Sequence, residues 1–473
     1  MHVLKIIFIC LEVLLLFNLL IFAHELGHFL AARWRGLKVE RFAIWFGKPI
    51  WKTKINGIEY ALGFIPAGGY VSLPQMASME MIEGKTEEQA EQLPPISTVN
   101  KIIVAFAGPL FSFLLALVFA GIVALVGRPV SEVETTTVIG HVETNSPAEI
   151  AGLRAGDKIL EVDGKPVVKF GGFGESITWR IVRSEGATVP VKFERDGQVL
   201  TVETSPVKET TKAWERKGLR QIKILPAQAA IIAEVSSNSP AARAGLKVGD
   251  KVLSVNGVRL YHFAGLSDYL EKHPGEAVTL KYERKTNTAE VTLQPEIPLS
   301  PPDDKPRVGI LWDATGKYVL AYPGAMDQIR DSLNAMVATF DAIFSRKSDI
   351  KPQHLGGAVK IFSVYYLLFE SEQGWRLALW FSVVLNVNLA LLNLLPFPVL
   401  DGGHIALSLV EAVRRKPVSA RVMNALQTGC AALLIVYFLY ITFFDVQELP
   451  WRGHREKETP AMKFAPKPEP AKL

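Results

Sequence analysis

Four stretches of this chain are too apolar and too long for an ordinary water-soluble core. Ile102 to Gly127 runs 26 residues without a charge, Leu377 to Leu400 runs 24, and Val422 to Phe444 runs 23. Each exceeds the roughly 20 residues that a helix needs to cross a bilayer core. The first apolar stretch, Ile6 to about Ala32, carries Glu12, His24, Glu25 and His28 within it. A secretory signal would start basic, run shorter and close on a small-residue cleavage site. Here the apolar run continues into an ionisable cluster instead. A retained helix is expected, with its charges turned to the protein interior. The pattern predicts a polytopic α-helical membrane protein of four transmembrane helices in contact with a lipid bilayer.

Residues 128 to about 300 have no long apolar run and read as soluble. Val142 to Gly164 aligns without gaps on Val235 to Gly257 at a constant offset of 93, with 14 identities in 23 positions. Asn145-Ser146-Pro147-Ala148 recurs as Asn238-Ser239-Pro240-Ala241, and Gly156-Asp157-Lys158 as Gly249-Asp250-Lys251. Asp163-Gly164 and Asn256-Gly257 are two-residue turns between alternating, strand-like runs. This order of strand, small helix, strand and hairpin resembles bacterial PDZ domains in tandem, two inserted α+β modules. Such modules bind a peptide by adding it to a sheet edge, or serve as a rigid cap that binds nothing. Both uses stay open.

The expected organisation is an N-terminal membrane part over 1–127, PDZ-like domains over 128–212 and 220–298, and a linker with interfacial segments over 299–374. A C-terminal membrane part over 375–444 and a tail over 445–473 complete it. Gly57 to Leu73 alternates around Gly63, Pro66, Gly68 and Gly69 and suggests a hairpin near the membrane. Ser78 to Gln92 is acidic and reads as a solvated loop, and Ser300 to Pro306 as a Pro-rich linker. Ala358 to Phe369 is apolar but too short to span, which predicts an interfacial segment.

Charge adds orientation. Residues 33 to 54 hold seven Lys and Arg against Glu40, and residues 402 to 421 hold Arg414, Arg415, Lys416 and Arg421 against Glu411. Positive-inside bias puts both loops in the cytoplasm and both termini outside. Spans one and three then run in the same direction, and their C-terminal ends share a depth near the cytoplasmic face. Across all 473 residues the net charge is only +5, which gives no case for a nucleic-acid partner. The two cysteines, Cys10 and Cys430, lie in apolar runs, which excludes a disulfide framework and a cysteine zinc site.

Within the first span stands His24-Glu25-Leu26-Gly27-His28, an HExxH sequence. On a helix, positions i and i+4 share a face about 6 Å apart, so both imidazoles can ligate one Zn²⁺. Glu25 beside them is placed to take a proton from a water molecule. Three ionisable groups in a hydrophobic span are costly, and such residues mark function by default. A third ligand is sought at the same depth, at the end of span three. Asn393-Leu394-Leu395-Pro396-Phe397-Pro398-Val399-Leu400-Asp401-Gly402-Gly403 lies there. Its prolines break the helix and its glycines permit a sharp turn. Asp401 is the favoured third ligand, with His404 the alternative. Two histidines, a carboxylate and an open fourth position make the catalytic type of zinc site.

HExxH in span one, the N-x-x-P-x-P-x-x-D-G run in span three and the tandem repeats resemble the site-2 protease family, more narrowly its bacterial regulator-of-sigma-E type. Glu40-Arg41-Phe42 with Gly47, and Pro66-Ala67-Gly68-Gly69-Tyr70-Val71, are similar to further family segments. The similarity covers nearly all of the chain, failing mainly at the acidic loop and the tail after Phe444. The resemblance implies an intramembrane zinc endopeptidase that cuts transmembrane segments of single-span membrane proteins, such as anti-sigma factors. It implies His24, His28 and Asp401 as ligands and Glu25 as general base. Asn393, Pro396, Gly68 and Gly69 would hold an extended substrate. It also implies the bacterial inner membrane. By the loop charges the PDZ-like pair lies on the outer, periplasmic side, roughly 20 Å or more from the zinc site. That is too far to touch the reacting bond, so the pair is expected to act on access as a size filter. Where the family often has Gly-Pro-x-x-Asn in span two, Gly108-Pro109 is followed by Ser112, which puts that asparagine's polar contact in doubt. The competing readings are a non-enzymatic membrane adaptor and a metal transporter. An intact Glu25 favours the peptidase, because neither alternative requires a base beside the ligands.

Overall fold

The structure is a computed structural model that describes residues 2–79, 96–172, 174–212, 214–300, 305–314, 316–345, 348–371, 373–416, 418–449 and 462–465. The acidic loop, the Pro-rich linker and the tail expected after Phe444 fall partly or largely outside these residues. The chain divides into two compact units: residues 1–128, 321–337 and 355–446, and residues 129–320, 338–354 and 447–473.

In the first unit, four helices are long and apolar enough to span a membrane: Leu4–Trp34, Thr98–Val126, Gly374–Asn393 and Arg421–Gln447. They belong to α1 (His2–Trp34), α2 (Thr98–Val126), α4 (Gly374–Asn393) and α6 (Ala420–Gln447). Two shorter helices are α3 (Ala358–Glu370) and α5 (Asp401–Arg414). One face of α1 carries Ile9, Val13, Leu16 and Leu20, which pack on Ala116, Phe119 and Ala120 of α2 and on Ala378, Val383 and Val387 of α4. The i, i+3/i+4 spacing makes this a continuous buried stripe. A second stripe, Leu4, Phe8, Leu11, Leu15, Leu19 and Phe22, is exposed. A water-soluble protein rarely leaves so large an apolar patch uncovered; lipid covers it at no such cost.

The segment Ala358 to Phe369, expected to be interfacial, forms a helix with Ser363 and Tyr365 buried. In α3 Tyr365 is fully buried and its hydroxyl lies 2.8 Å from Ser382 Oγ. Asp445 of α6 accepts the N–H groups of Gly357 (2.9 Å) and Lys360 (3.1 Å), satisfying donors at the start of α3. The third span ends at Asn393, short of the expected Leu400, because the two prolines that follow cannot continue its ladder.

The expected hairpin over 57–73 proves larger. β1 (Arg41–Ile55) and β2 (Ile58–Ser72) join through the tight turn Asn56-Gly57, and both strands double back. Arg41 to Ile44 pair on one side with Ser72 to Gly69 and on the other with Glu59 to Leu62. Beyond a bend, Trp51 to Ile55 pair with Leu62 to Ile58. Phe29, Ala32, Val104 and Ala107 of α1 and α2 pack with Phe42, Val71 and Leu73, seating this sheet on the two helices.

In the second unit the repeated sequence gives a repeated fold. Asn145 and Asn238 take positive φ (61° and 59°), where asparagine is among the better tolerated residues. Ser146 and Ser239 then cap short helices, Pro147–Ile150 and Pro240–Arg243, each with proline in the first turn. The buried Asp157 and Asp250 are matched as well. Arg195 Nε donates to Asp157 at 2.6 Å and Arg284 Nε to Asp250 at 2.7 Å, while each guanidinium also reaches the carbonyl of Gly152 or Gly245 at 2.8 Å. The expected limits at 212 and 298 fall short. Ile224–Pro226 pairs with Ile139–Val142, and Ile310–Trp312 pairs with Ala230–Val235. Each repeat is closed by a late strand of three residues, too short to announce itself by alternation.

Candidate metal centre

His24 and His28 stand one turn apart on α1, with their Nε2 atoms 3.3 Å from each other. Each ring is held by its other nitrogen from α2. His28 Nδ1 lies 2.8 Å from the carbonyl oxygen of Val104, which only accepts, so the ring proton sits on Nδ1 and Nε2 keeps its lone pair. His24 Nδ1 lies 3.0 Å from Ser112 Oγ. Two glycines allow the helices this close: a Cβ at Gly108 would collide with His28 Nε2, and one at Gly27 with the carbonyl of Ala107.

Asp401 is the first residue of α5 and is buried. The turn that delivers it is built from backbone: a Cβ at Gly402 would strike the carbonyl of Leu394, and one at Gly403 that of Phe397. Asp401 Oδ2 lies 3.2 Å from His24 Nε2, and Oδ1 lies 3.3 Å from His28 Nε2. Among the described residues, His24, His28 and Asp401 form the one group of such side chains whose ligand atoms, all within 4.8 Å of each other, can hold a metal.

Asp401 Oδ2 is buried without a hydrogen-bond donor. With Nδ1 of both rings tied to α2, both Nε2 atoms and the Asp401 carboxylate turn toward one buried point, where a cation would satisfy them together. Nitrogen, nitrogen and oxygen donors with room for a fourth suit Zn²⁺. These residues fit the metal.

Glu25 follows His24 on α1 and faces the sheet. A Cβ at Gly69 would lie 3.0 Å from Glu25 Cγ and 3.1 Å from Ile21 Cγ2, so β2 passes directly over the Glu25 side chain. Gly68, at φ 70°, faces the ring of Phe46 instead. Asn393 is half-buried at the end of α4, and Pro396 is exposed in the turn. His404 is buried one turn into α5 but lies outside the three-residue group. At the position whose polar contact was left in doubt, Ser112 makes one: its hydroxyl reaches His24. Its signal was available, since a hydroxyl in an apolar span must find a partner. Val104 acts through its backbone and Gly108 through lacking a side chain, and neither leaves a chemical mark in the sequence.

Residues 12–437 match the family described as Peptidase family M50. The chain belongs to peptidase family M50. As an M50 peptidase it is a metalloprotease. It is 29% identical over 444 residues to a Neisseria meningitidis protein that carries the provisional name of zinc metalloprotease, covering 90% of this chain and 96% of that one. It is 28% identical to the protease RseP of Yersinia pestis (90% and 96% covered), and 27% identical to the regulator of sigma-E protease RseP of Escherichia coli K12 (91% and 97% covered). A solved PDZ domain of an SdrC-like protein from Listeria monocytogenes is 18% identical, covering 19% of this chain and 93% of that one at TM-score 0.16, which carries no argument.

Proposed function

We propose that this M50 peptidase is a zinc-dependent endopeptidase that cuts transmembrane segments of single-span membrane proteins. The carrying observation is the convergence of His24, His28 and Asp401 on one point between apolar helices, with Glu25 adjacent in sequence. His24, His28 and Asp401 are the proposed ligands. Bound there, zinc would polarise a peptide carbonyl and make water a nucleophile near neutral pH.

The chain's own groups do the rest. Ser112 and Val104 fix the two rings so that Nε2 of each points inward. Glu25 takes a proton from the attacking water and returns it to the leaving amine. A helical substrate must unwind first, because its carbonyls are hydrogen-bonded and shielded. Residues 65–72 pair on one side with residues 41–46, and Gly69 lies against Glu25. This supports Gly68 and Gly69 as a surface for an extended substrate; Asn393 and Pro396, in the turn before Asp401, are proposed to help hold it.

One relative is named a regulator of sigma-E protease; the proposal adds to that an anti-sigma factor as substrate and the bacterial inner membrane as location. By the loop-charge bias, the two repeats, read as PDZ-like domains, stand on the periplasmic side and exclude substrates with bulky outer domains. The test is a detergent-purified chain incubated with a reporter transmembrane segment. Cleavage within the segment that a chelator abolishes and zinc restores supports the reading. No cleavage by zinc-loaded protein of any reporter carrying helix-breaking residues overturns it.

A further inference from the structure

Trp45 is an outlier. Its φ of 69° is a left-handed value that a bulky residue seldom adopts. It stands at the bend of β1, two residues before Gly47 at φ 88°. The bend is what doubles the sheet: residues before it pair with residues 69–72, and Phe46 pairs with Ile65. Gly63 closes against it so tightly that a Cβ there would collide with the carbonyls of Phe46 and Trp45.

A second oddity lies on α1. Asn18 is a primary amide in an otherwise apolar turn, costly in a membrane unless its groups are satisfied. Its Nδ2 donates to Leu14 O at 2.7 Å, and its Oδ1 accepts the indole N–H of Trp45. The two oddities answer each other. Asn18, Ile21 and Glu25 stand at i, i+3 and i+7 and so share one face of α1. Gly69 meets both Ile21 and Glu25, and Gly69 is the register partner of Ile44, next to Trp45. One hydrogen bond therefore ties the bend to the same helical face, about 10 Å above the carboxylate.

We propose that Asn18 and Trp45 are positioning residues: their hydrogen bond holds the strained bend, and through it sets residues 65–72 against Glu25. Neither touches the reacting atoms. The reading rests on the peptidase function proposed above. Proximity and alignment dominate such chemistry, and a displacement of about 1 Å is enough to cost a hundredfold in rate.

The experiment uses the full zinc-loaded chain and the variants Asn18→Leu, Trp45→Phe and Asn18→Leu/Trp45→Gly. Three quantities are read: zinc per chain, kcat and KM on a transmembrane reporter, and hydrogen–deuterium exchange of residues 65–72. Both single variants should keep zinc at wild-type level, lose about tenfold or more in kcat with KM within about twofold, and exchange faster at 65–72. The double variant should recover most of both losses, because glycine adopts the bend without needing the bond. Wild-type kcat in the single variants overturns the proposal. So does zinc lost in step with activity, which would make the pair a general brace. If the wild-type chain cuts no reporter, the peptidase reading fails, and the exchange arm still decides. Unchanged exchange in Asn18→Leu then overturns the positioning role, and faster exchange restored by Trp45→Gly upholds the hold on the strand.

Discussion

Ser112 Oγ lies 3.0 Å from His24 Nδ1, and Ser112 is fully buried in α2. A hydroxyl at this depth has no water to fall back on, so the pair fixes both the ring's rotation and the nitrogen it turns inward. Ser112→Ala should weaken zinc binding roughly ten- to hundredfold while leaving the helices folded. Competition with a chromophoric chelator measures this, with circular dichroism as the control for fold.

Gly108→Ala tests how closely α1 and α2 must approach. The added methyl group would collide with His28 Nε2, so the helices must part or the ring must turn. The variant should lose zinc more severely than Ser112→Ala, at a stability cost of about 1–3 kcal/mol. Side-by-side metal analysis and thermal melts of the two variants check the order.

Glu25→Gln keeps the volume of the side chain and removes its basicity. Zinc content should stay at wild type while reporter cleavage falls by about 10²–10⁴-fold. Activity near wild type would assign the proton transfer to another group.

The second repeat, which contains none of the four candidate spans, carries a pH-dependent element. Burial alone would raise the Asp250 carboxyl, but hydrogen bonds from Arg284 and the Lys247 N–H hold it below the ordinary aspartate value. A carboxylate depressed in the folded state stabilises above its unfolded pKa, and that stabilisation fades as pH falls through the folded value. Stability of this repeat should therefore decline on acidification below about pH 4, and Asp250→Asn should flatten that part of the decline. Arg284→Ala should destabilise the repeat near neutral pH, because it leaves the buried Asp250 carboxylate without its guanidinium partner. Hydrogen exchange of residues 251–255 and 278–284 in the full chain reads both.

What the sequence disclosed follows the strength of each physical constraint. A bilayer demands about 20 apolar residues, so the spans stand out. A helix face demands i and i+4, so His24 and His28 stand out as well. Asp401 was reachable because the loop charges imply that spans one and three run in the same direction, and direction implies depth. The doubled sheet was not reachable. Its register turns on a left-handed Trp45, and period-two alternation carries no information about a bend. The closing strands Ile224–Pro226 and Ile310–Trp312 were hidden for a related reason: three residues give too little pattern, and Ile224 pairs with Val142, more than 80 positions earlier. Ser112 fell between these cases, visible as a polar residue in a span but not as the partner of a particular ring.

The most direct measurement of the central claim is zinc stoichiometry together with reporter cleavage in the wild-type chain and Asp401→Ala. Asp401 brings one carboxylate oxygen from α5 to each of the two imidazoles on α1, at 3.2 and 3.3 Å. The wild type should hold one zinc per chain and cut within the transmembrane segment. The variant should fold, bind zinc far more weakly and leave the reporter intact. Full zinc occupancy and full cleavage in Asp401→Ala would contradict the assignment of the centre.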